Sequence, residues 1–275
     1  MFKNDILISI ILCCYNSEKF IKKTLDSIHR IKSDKIELIL IDDGSTDHTH
    51  QILKNYSLNI PKKLYKQKNH GLAISRNKAI ELSSGKWIAI LDHDDEILIQ
   101  TVNKFEKFIL SNKHNNIGLF FGNTNIMFND GSKYPKYIND KKNPINYSLQ
   151  KIYCYKELLK NGCFIVSSTA LFRKSLVTKV NGFEKKYMIT CDYHFFLKLS
   201  LITDSFYINE VLCNWRTHEN QATTIHTKQN YKELIIIYYE ALFSNNKILN
   251  FNAIIYINFI KYLIKYIYIS IKKIK

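Results

Sequence analysis

Ile36-Glu37-Leu38-Ile39-Leu40-Ile41-Asp42-Asp43-Gly44-Ser45-Thr46-Asp47, residues 36–47, reads as a buried strand that stops on carboxylates and hands over to a helix. Positions 36–41 are almost all apolar and rich in Ile, as in a parallel strand covered on both faces. Gly44 permits a tight turn, and Ser45 or Asp47 can cap a helix over 47–56. The same grammar recurs on either side. Residues 6–13 form another apolar, β-branched run, followed by a helix over 17–31 with Phe20, Ile21, Leu25 and Ile28 at helical spacing. A short strand is expected at 63–67. A helix at 71–84 buries Leu72, Ile74, Ala79 and Ile80, and Gly85 is read as its C-terminal stop. A fourth strand at 86–91 ends in acids. This βαβαβαβ order predicts an α/β fold on a doubly wound, parallel sheet.

The second half mixes elements. Strands are expected at 117–128, 163–172 and 206–215, with a turn at Asn129-Asp130-Gly131 and a loop at 141–144. Helices are expected from that loop to about 160, at 192–201, and from 228 to the end. Neither a repeat nor a linker divides the first 225 residues, so 1–225 is taken as one domain with halves 1–115 and 116–225, and 226–275 as a helical extension.

Composition sets bounds. The formal charge of +16 suggests nucleic acid, but among 40 basic residues the Arg are Arg30, Arg76, Arg173 and Arg216 alone. Base readout and phosphate forks rely on Arg, so a Lys excess on solvated faces argues against a nucleic-acid partner. The six cysteines include no CxxC pair, and reduced, mostly buried thiols are expected. Residues 1–5 carry charges and lead directly into a strand pattern, unlike a signal peptide. The longest uncharged stretch near the C-terminus, 248–260, has 13 residues, short of the roughly 20 a spanning helix needs. A cytoplasmic protein is expected.

Ligands of open α/β sheets bind beyond the carboxyl ends of the strands. Three strands here end in polar signatures that should gather on one rim: Cys13-Cys14-Tyr15-Asn16, Asp42-Asp43-Gly44-Ser45 and Asp92-His93-Asp94-Asp95. A carboxylate such as Asp43 can accept a hydrogen bond from a base N–H, or simply end a strand. Asp92, Asp94 and Asp95 repel one another unless a cation joins them, and hard divalent cations combine such carboxylates with substrate phosphates. The plainer alternative is an acidic helix start. Gly71-Leu72-Ala73-Ile74-Ser75-Arg76 opens a helix whose N–H groups, with Arg76, can meet a phosphate.

In this order these strings, together with Asn69-His70-Gly71-Leu72-Ala73 and Arg76-Asn77, resemble family 2 glycosyltransferases over about residues 6–220. The resemblance implies a GT-A fold, a central Rossmann-like sheet flanked by helices. It also implies inverting transfer from a nucleotide sugar, here a UDP-sugar carrying a hexose or N-acetylhexosamine, assisted by Mn²⁺ or Mg²⁺. Cys13 and Tyr15 fall where the family contacts the nucleoside, Asp43 where it reads the base, and Arg76 near the diphosphate. Asp92 and Asp94 match the family's DxD motif, the first toward ribose and sugar, the second on the metal. His218, in Trp215-Arg216-Thr217-His218, matches a late histidine that completes the metal site in some members; a solvated loop histidine is the alternative. Asn181-Gly182-Phe183-Glu184 and Cys191-Asp192-Tyr193-His194 resemble the acceptor half, where Asp192 takes the place of the general base, or of a helix cap. The chain departs from the pattern twice. Cys13-Cys14 replaces the usual pair before Tyr-Asn, and Cys191 replaces the first acid of the acidic pair.

The implied setting is bacterial surface-polysaccharide or lipooligosaccharide synthesis, with a glycan or lipid-linked acceptor. Rival readings are a sugar nucleotidyltransferase, which would carry a Gly-rich phosphate loop where this chain has Tyr15-Asn16-Ser17-Glu18, and a noncatalytic nucleotide-sugar binder. The tail from 247 holds six Lys among Ile, Tyr and Phe, with no acid after Glu240. That pattern suits peripheral contact with an anionic membrane or a packed, partner-binding helix pair. Oligomeric state is open.

Overall fold

A computed structural model of the chain describes residues 6–111, 116–136, 138, 147–243 and 253–272. Residues 1–5 and the loop expected at 141–144 lie outside them. Strands β1 (Ile8–Cys14) and β2 (Ile36–Asp42) are buried at every position and run parallel. β3 (Lys62–Lys66) adds beyond β2, and β4 (Trp87–Ile90) flanks β1, both parallel. Helices α1 (Glu18–His29), α2 (Thr49–Asn55) and α3 (Leu72–Leu82) connect them. This is the doubly wound half that the apolar runs predict.

Beyond β4 come β5 (Glu96–Ile97), α4 (Ile99–Leu110), β6 (Ile117–Met127), β7 (Lys133–Lys136), β8 (Tyr147–Leu149) and α5 (Lys151–Asn161). They are followed by β9 (Leu171–Arg173), α6 (Cys191–Ile202), β10 (Asp204–Arg216), α7 (Ala222–Ile225), α8 (Thr227–Phe243) and α9 (Ala253–Lys272). The sheet order is β3-β2-β1-β4-β9-β6-β10-β5, with β7 on β6 and β8 on β10. β9 lies antiparallel to both β4 and β6 and welds the parallel half to the second half, where β10 runs parallel to β6. The strand expected at 163–172 is mostly something else. Ser167–Thr169 form a 3-10 turn, and the sheet takes only Leu171–Arg173.

Alternate residues of β1 serve opposite faces, as the pleat demands. Ile11 and Cys13 join the core under α3, α5, α6 and α8, while Ile10, Leu12 and Cys14 join the core under α1, α2 and α4. Gly85 does not act as a left-handed helix stop, because α3 ends at Ser83 in extended conformation and Gly85 has no positive φ. Its constraint is space. A Cβ there would sit 2.5 Å from the Ser9 nitrogen, so the chain crosses β1 only where a side chain is missing.

Of the helical extension, α8 and α9 pack against the preceding elements. Ile237, Tyr238 and Ala241 of α8 and Ile255 of α9 belong to the same core as α5 and α6. The Tyr238 hydroxyl donates to the Leu159 carbonyl at 2.7 Å, and Asn258 Nδ2 donates to the Leu159 and Lys160 carbonyls. Nor does the uncharged stretch measure the helix. α9 continues through Lys261 and Lys265 for 20 residues and is, by length and composition, long and apolar enough to cross a membrane.

Where α6 meets α8, His194 stacks on Tyr187 at 4.2 Å and faces Glu184, Glu240, Lys186 and Lys198. Burial lowers its pKa from 6.5 to about 4, the nearby carboxylates compensating in part. The unfolded chain therefore takes up a proton between these values and the folded one does not. Stability from this group is complete above pH 6.5 and falls as the pH drops toward 4, by up to ~3 kcal/mol. Urea unfolding at pH 7 and pH 4.5 should show a smaller acid loss in His194→Gln than in the wild type.

Candidate active site

The carboxyl ends of β1, β2 and β4 open on one rim. Cys13, buried at the end of β1, lies within electrostatic reach of Asp43, Asp92, Arg76 and Cys191. Burial first, and the neighbouring carboxylates next, push its thiol far above the ordinary range, so Cys13 is a neutral wall. Tyr15, the residue after β1, is 47 % exposed and available for stacking. Asp43 is buried and already committed. Its Oδ1 accepts from Gln67 Nε2 (2.7 Å) and His70 N (2.9 Å), and its Oδ2 from Gly71 N (2.8 Å). It shapes the loop leading into α3, leaving about one of a carboxylate's four acceptor positions for a ligand.

The acidic stretch after β4 is held by paired charges. Arg76, 2 % exposed, donates to Asp92 Oδ1 at 2.8 Å and reaches Cys191 Sγ at 3.7 Å, with its guanidinium over the Phe183 ring. It therefore backs Asp92 and does not project into solvent. Asp94 Oδ2 meets His218 Nε2 at 2.8 Å, and the His218 ring packs on Phe20 at 4.5 Å. Asp95 is fully enclosed, accepting from Ser168 Oγ and from Arg216 N. Arg216 also donates from Nε to the Asp94 carbonyl and pairs with Glu96 at 2.9 Å.

Their protonation follows from these surroundings. Burial and the charges of Asp94 and Asp92 raise the Asp95 carboxyl well above the ordinary range. Asp92 is raised as well, because desolvation and the Asp94 charge outweigh Arg76. Burial also works to raise Asp94, but the hydrogen bond from His218 and the nearby histidine charge prevail and lower it. The acid most ready to stay ionised is the one that faces an imidazole.

Asp192 enters from the second half, in the first turn of α6. Its Oδ2 accepts from Ser167 Oγ at 2.8 Å and its Oδ1 from Tyr193 N at 2.7 Å. Ser168, next in line, takes the Asp92 N–H and donates to Asp95. One 3-10 turn thus ties the acidic strand end to the acid of α6. Asn77 of α3 adds a second tie by exchanging hydrogen bonds with both backbone groups of Phe183. Gly182 fits beneath it at φ 59°, where a Cβ would fall 2.5 Å from Asn77 Oδ1.

Seven of the eight candidates are in mutual reach: Asp43, Asp92 and Asp192 surround Arg76 or Cys13, and Asp94 with His218 forms a hydrogen-bonded pair beside Asp92, while Tyr15 follows the end of β1 and is half exposed. Ser167, Ser168 and Arg216 escaped the sequence reading. A polar Ser-Ser-Thr inside an otherwise apolar run is the signal that points to the first two. Among the described residues, no three His, Cys, Asp or Glu side chains converge as a metal-binding group. Asp94 and His218 form a two-donor corner of oxygen and nitrogen, and the second ring nitrogen of His218 is buried without a hydrogen bond.

Comparison with known proteins gives the family and the fold. The family described as Glycosyl transferase family 2 matches residues 9–180. The Escherichia coli protein WfgD, UDP-Glc:alpha-D-GlcNAc-diphosphoundecaprenol beta-1,3-glucosyltransferase, is 32 % identical over 202 residues, 74 % of this chain and 72 % of its own. The fold matches S. aureus TarS 1-349, solved in complex with UDP-GlcNAc, with TM-score 0.70 and 20 % identity over 94 % of this chain and 71 % of TarS 1-349. It also matches mannosyltransferase PcManGT of Pyrobaculum calidifontis, solved with GDP-Man and Mn²⁺, with TM-score 0.61 and 15 % identity over 86 % of this chain and 64 % of that one. With its GT-A architecture and its acids gathered at the strand ends, the chain belongs to glycosyl transferase family 2 and is a glycosyltransferase.

Proposed function

We propose that the protein moves a hexose or N-acetylhexosamine from a UDP-sugar to a hydroxyl of a glycan or lipid-linked acceptor, with inversion, in bacterial surface-glycan synthesis on the cytoplasmic side of the membrane. The observation that supports this reading is the Ser167-Ser168 turn, whose two hydroxyls link Asp192 to Asp92 and Asp95. In this reading the linked acids divide the two tasks of an inverting transfer, Asp192 serving the acceptor and the others the donor. The name of WfgD supports a UDP-sugar donor and a lipid diphosphate-linked acceptor.

In this reading Tyr15 stacks on uracil, Asp43 offers its remaining acceptor position to the base, and Asp92 addresses ribose and sugar from its seat on Arg76. Asp192 takes the proton of the acceptor hydroxyl. The new bond forms between that oxygen and the anomeric carbon, while the bond to the diphosphate breaks on the opposite face and its electron pair leaves with UDP. Its own hydrogen bonds occupy two of the acceptor positions of Asp192, so others remain for the incoming proton.

Asp94 and His218 fit a divalent cation. One carboxylate and one imidazole, completed by diphosphate oxygens and water, suit Mn²⁺ better than Mg²⁺. When bound, such an ion neutralises the leaving diphosphate. The protein's part is to keep Asp94 ionised and to hold the imidazole plane on Phe20.

Release of nucleotide from UDP-, GDP- and dTDP-sugars, with and without acceptors, tests the reading. With a responsive pair, Asp192→Asn should lose ~10²- to 10⁴-fold in kcat while UDP affinity stays unchanged. Transfer at the wild-type rate by a folded Asp192→Asn variant would remove Asp192 from the mechanism. Chelation should abolish turnover and Mn²⁺ restore it. Asp94→Ala and His218→Ala should each raise the Mn²⁺ needed for tight UDP binding by ~10-fold or more, read by calorimetry. Unchanged Mn²⁺ dependence in both would place the cation elsewhere.

A further inference from the structure

α9 has its apolar side turned the wrong way for a helix ending in water. Ile255, Asn258, Tyr262 and Tyr266, spaced three and four apart, face the protein, with Tyr262 against Tyr238 and Tyr231. Ile257, Ile260, Ile264, Ile267 and Ile271, also three and four apart, point outward and are 48–61 % exposed. Lys261, Lys265 and Lys272 line one border between these faces, with Lys261 and Lys265 lying over the rings of Tyr262 and Tyr231. From 241 to 275 the sequence has no Asp or Glu.

We infer that this face seats the protein on an anionic lipid surface, with α9 lying in the plane of the interface. The inference deepens the proposed reaction by saying how a lipid-linked acceptor and the site come together. Two features select the occupant. A Lys border beside an apolar face lets isoleucines enter the acyl boundary while ammonium groups stay among anionic headgroups. A second copy would bring the same Lys-bearing, acid-free segment, with no carboxylate to pair it. The contacts of Asn258 and Tyr262 with α5 and α8 also keep α9 against the protein, so it lies on the bilayer and does not span it.

The test is flotation of the purified full chain with vesicles of phosphatidylglycerol and phosphatidylcholine, or of phosphatidylcholine alone. Binding should favour the anionic vesicles by ~10-fold or more and weaken with salt. Ile260→Ser/Ile264→Ser and Lys261→Glu/Lys265→Glu should each lower it by ~10-fold or more, while UDP affinity stays as in the wild type. Equal flotation of wild type and both variants, or none at all, overturns the inference. So does resistance to alkaline extraction, which marks a spanning helix, or a dimer dissolved by Ile264→Glu. Since UDP affinity is measured in parallel, vesicle binding can fail while the transferase reading stands.

A second observation carries its own inference. Glu233 of α8 is fully buried, and everything that touches it donates. Its Oε1 accepts from Met188 N and Gln229 Nε2, and its Oε2 from Ile189 N, Thr190 N and Thr190 Oγ1, all at 2.8–2.9 Å. Thr190 is the residue on which α6, and therefore Asp192, begins. The structure assigns Glu233 as a positioning residue for the acid of α6. Gln at this position would turn an NH₂ toward N–H donors. Glu233→Gln should lower kcat by ~10- to 100-fold with UDP affinity held, and Glu233→Asp should recover part of it. Hydrogen exchange should speed up at 188–193 in the Gln variant. Unchanged kcat, or unchanged exchange in that segment, overturns the assignment.

Discussion

Four carboxylates, Asp92, Asp94, Asp95 and Asp192, share one rim of the sheet, and a separate partner for each makes that tolerable: Arg76 for Asp92, His218 for Asp94, Ser168 and the Arg216 backbone N–H for Asp95, and Ser167 for Asp192. Two of the chain's four arginines, Arg76 and Arg216, are buried there, 2 % and 4 % exposed. Each bridges segments far apart in sequence: Arg76 of α3 reaches Asp92 and Cys191, and Arg216 of β10 reaches Asp94, Asp95 and Glu96. Stripping one partner from a buried pair costs roughly 3–5 kcal/mol, far more than the pair adds over an apolar replacement. Arg76 therefore matters less as glue than as the condition under which Asp92 can stand at this rim, while the charge of Arg216 is spent on Glu96. Cys191 fits the same balance. A fifth carboxylate beside Asp192 would have added negative charge where Arg76 is already engaged, whereas a buried neutral thiol adds none.

The sheet supplies the geometry that the charges require. Parallel strands point their carboxyl ends one way, so β1, β2 and β4 deliver Cys13, Asp43 and Asp92 to a common edge. Antiparallel β9 does the complementary job. Because it runs the other way, the residues before it, not after it, lie at that edge, and these are Ser167, Ser168 and Thr169. A single hydroxyl on Ser168 then takes the Asp92 N–H and donates to Asp95, while Ser167 reaches Asp192. The parallel half and the second half meet through two hydroxyls that direction of travel put in place.

That also explains what the sequence could and could not tell. The strand ends at Asp42, and near Asp92, were legible because a run of buried β-branched residues breaking into acids is a local signal. β6, α6 and β10 were legible because their apolar runs are also local signals. Gly85 was misread because a glycine after a helix suggests a cap, while its close approach to Ser9 is a contact across 76 residues of chain. The 3-10 turn was hidden in a run whose flanks, Phe164, Ile165, Leu171 and Phe172, look like one strand. Asp43 shows the other limit. Sequence marks it as an acid at a strand end, but its three bonds to 67–71 arise from a loop whose path no local pattern specifies.

Helices α8 and α9 share a core with α5 and α6, and this bears on how a membrane face would work. A basic amphipathic tail on a flexible linker only raises local concentration, leaving the site to tumble. Here α9 packs through Tyr262 on Tyr238, whose hydroxyl is bonded to the Leu159 carbonyl, and α8 carries Glu233, which grips the residues just before Asp192. The path from the outward isoleucines to the acid of α6 is thus a short series of packed, hydrogen-bonded contacts within one core. A surface that binds α9 would fix the orientation of the rim as well as its distance. For an acceptor hydroxyl carried on lipid, orientation is the scarcer quantity, since in the proposed inverting transfer the attacking oxygen approaches the anomeric carbon opposite the departing diphosphate.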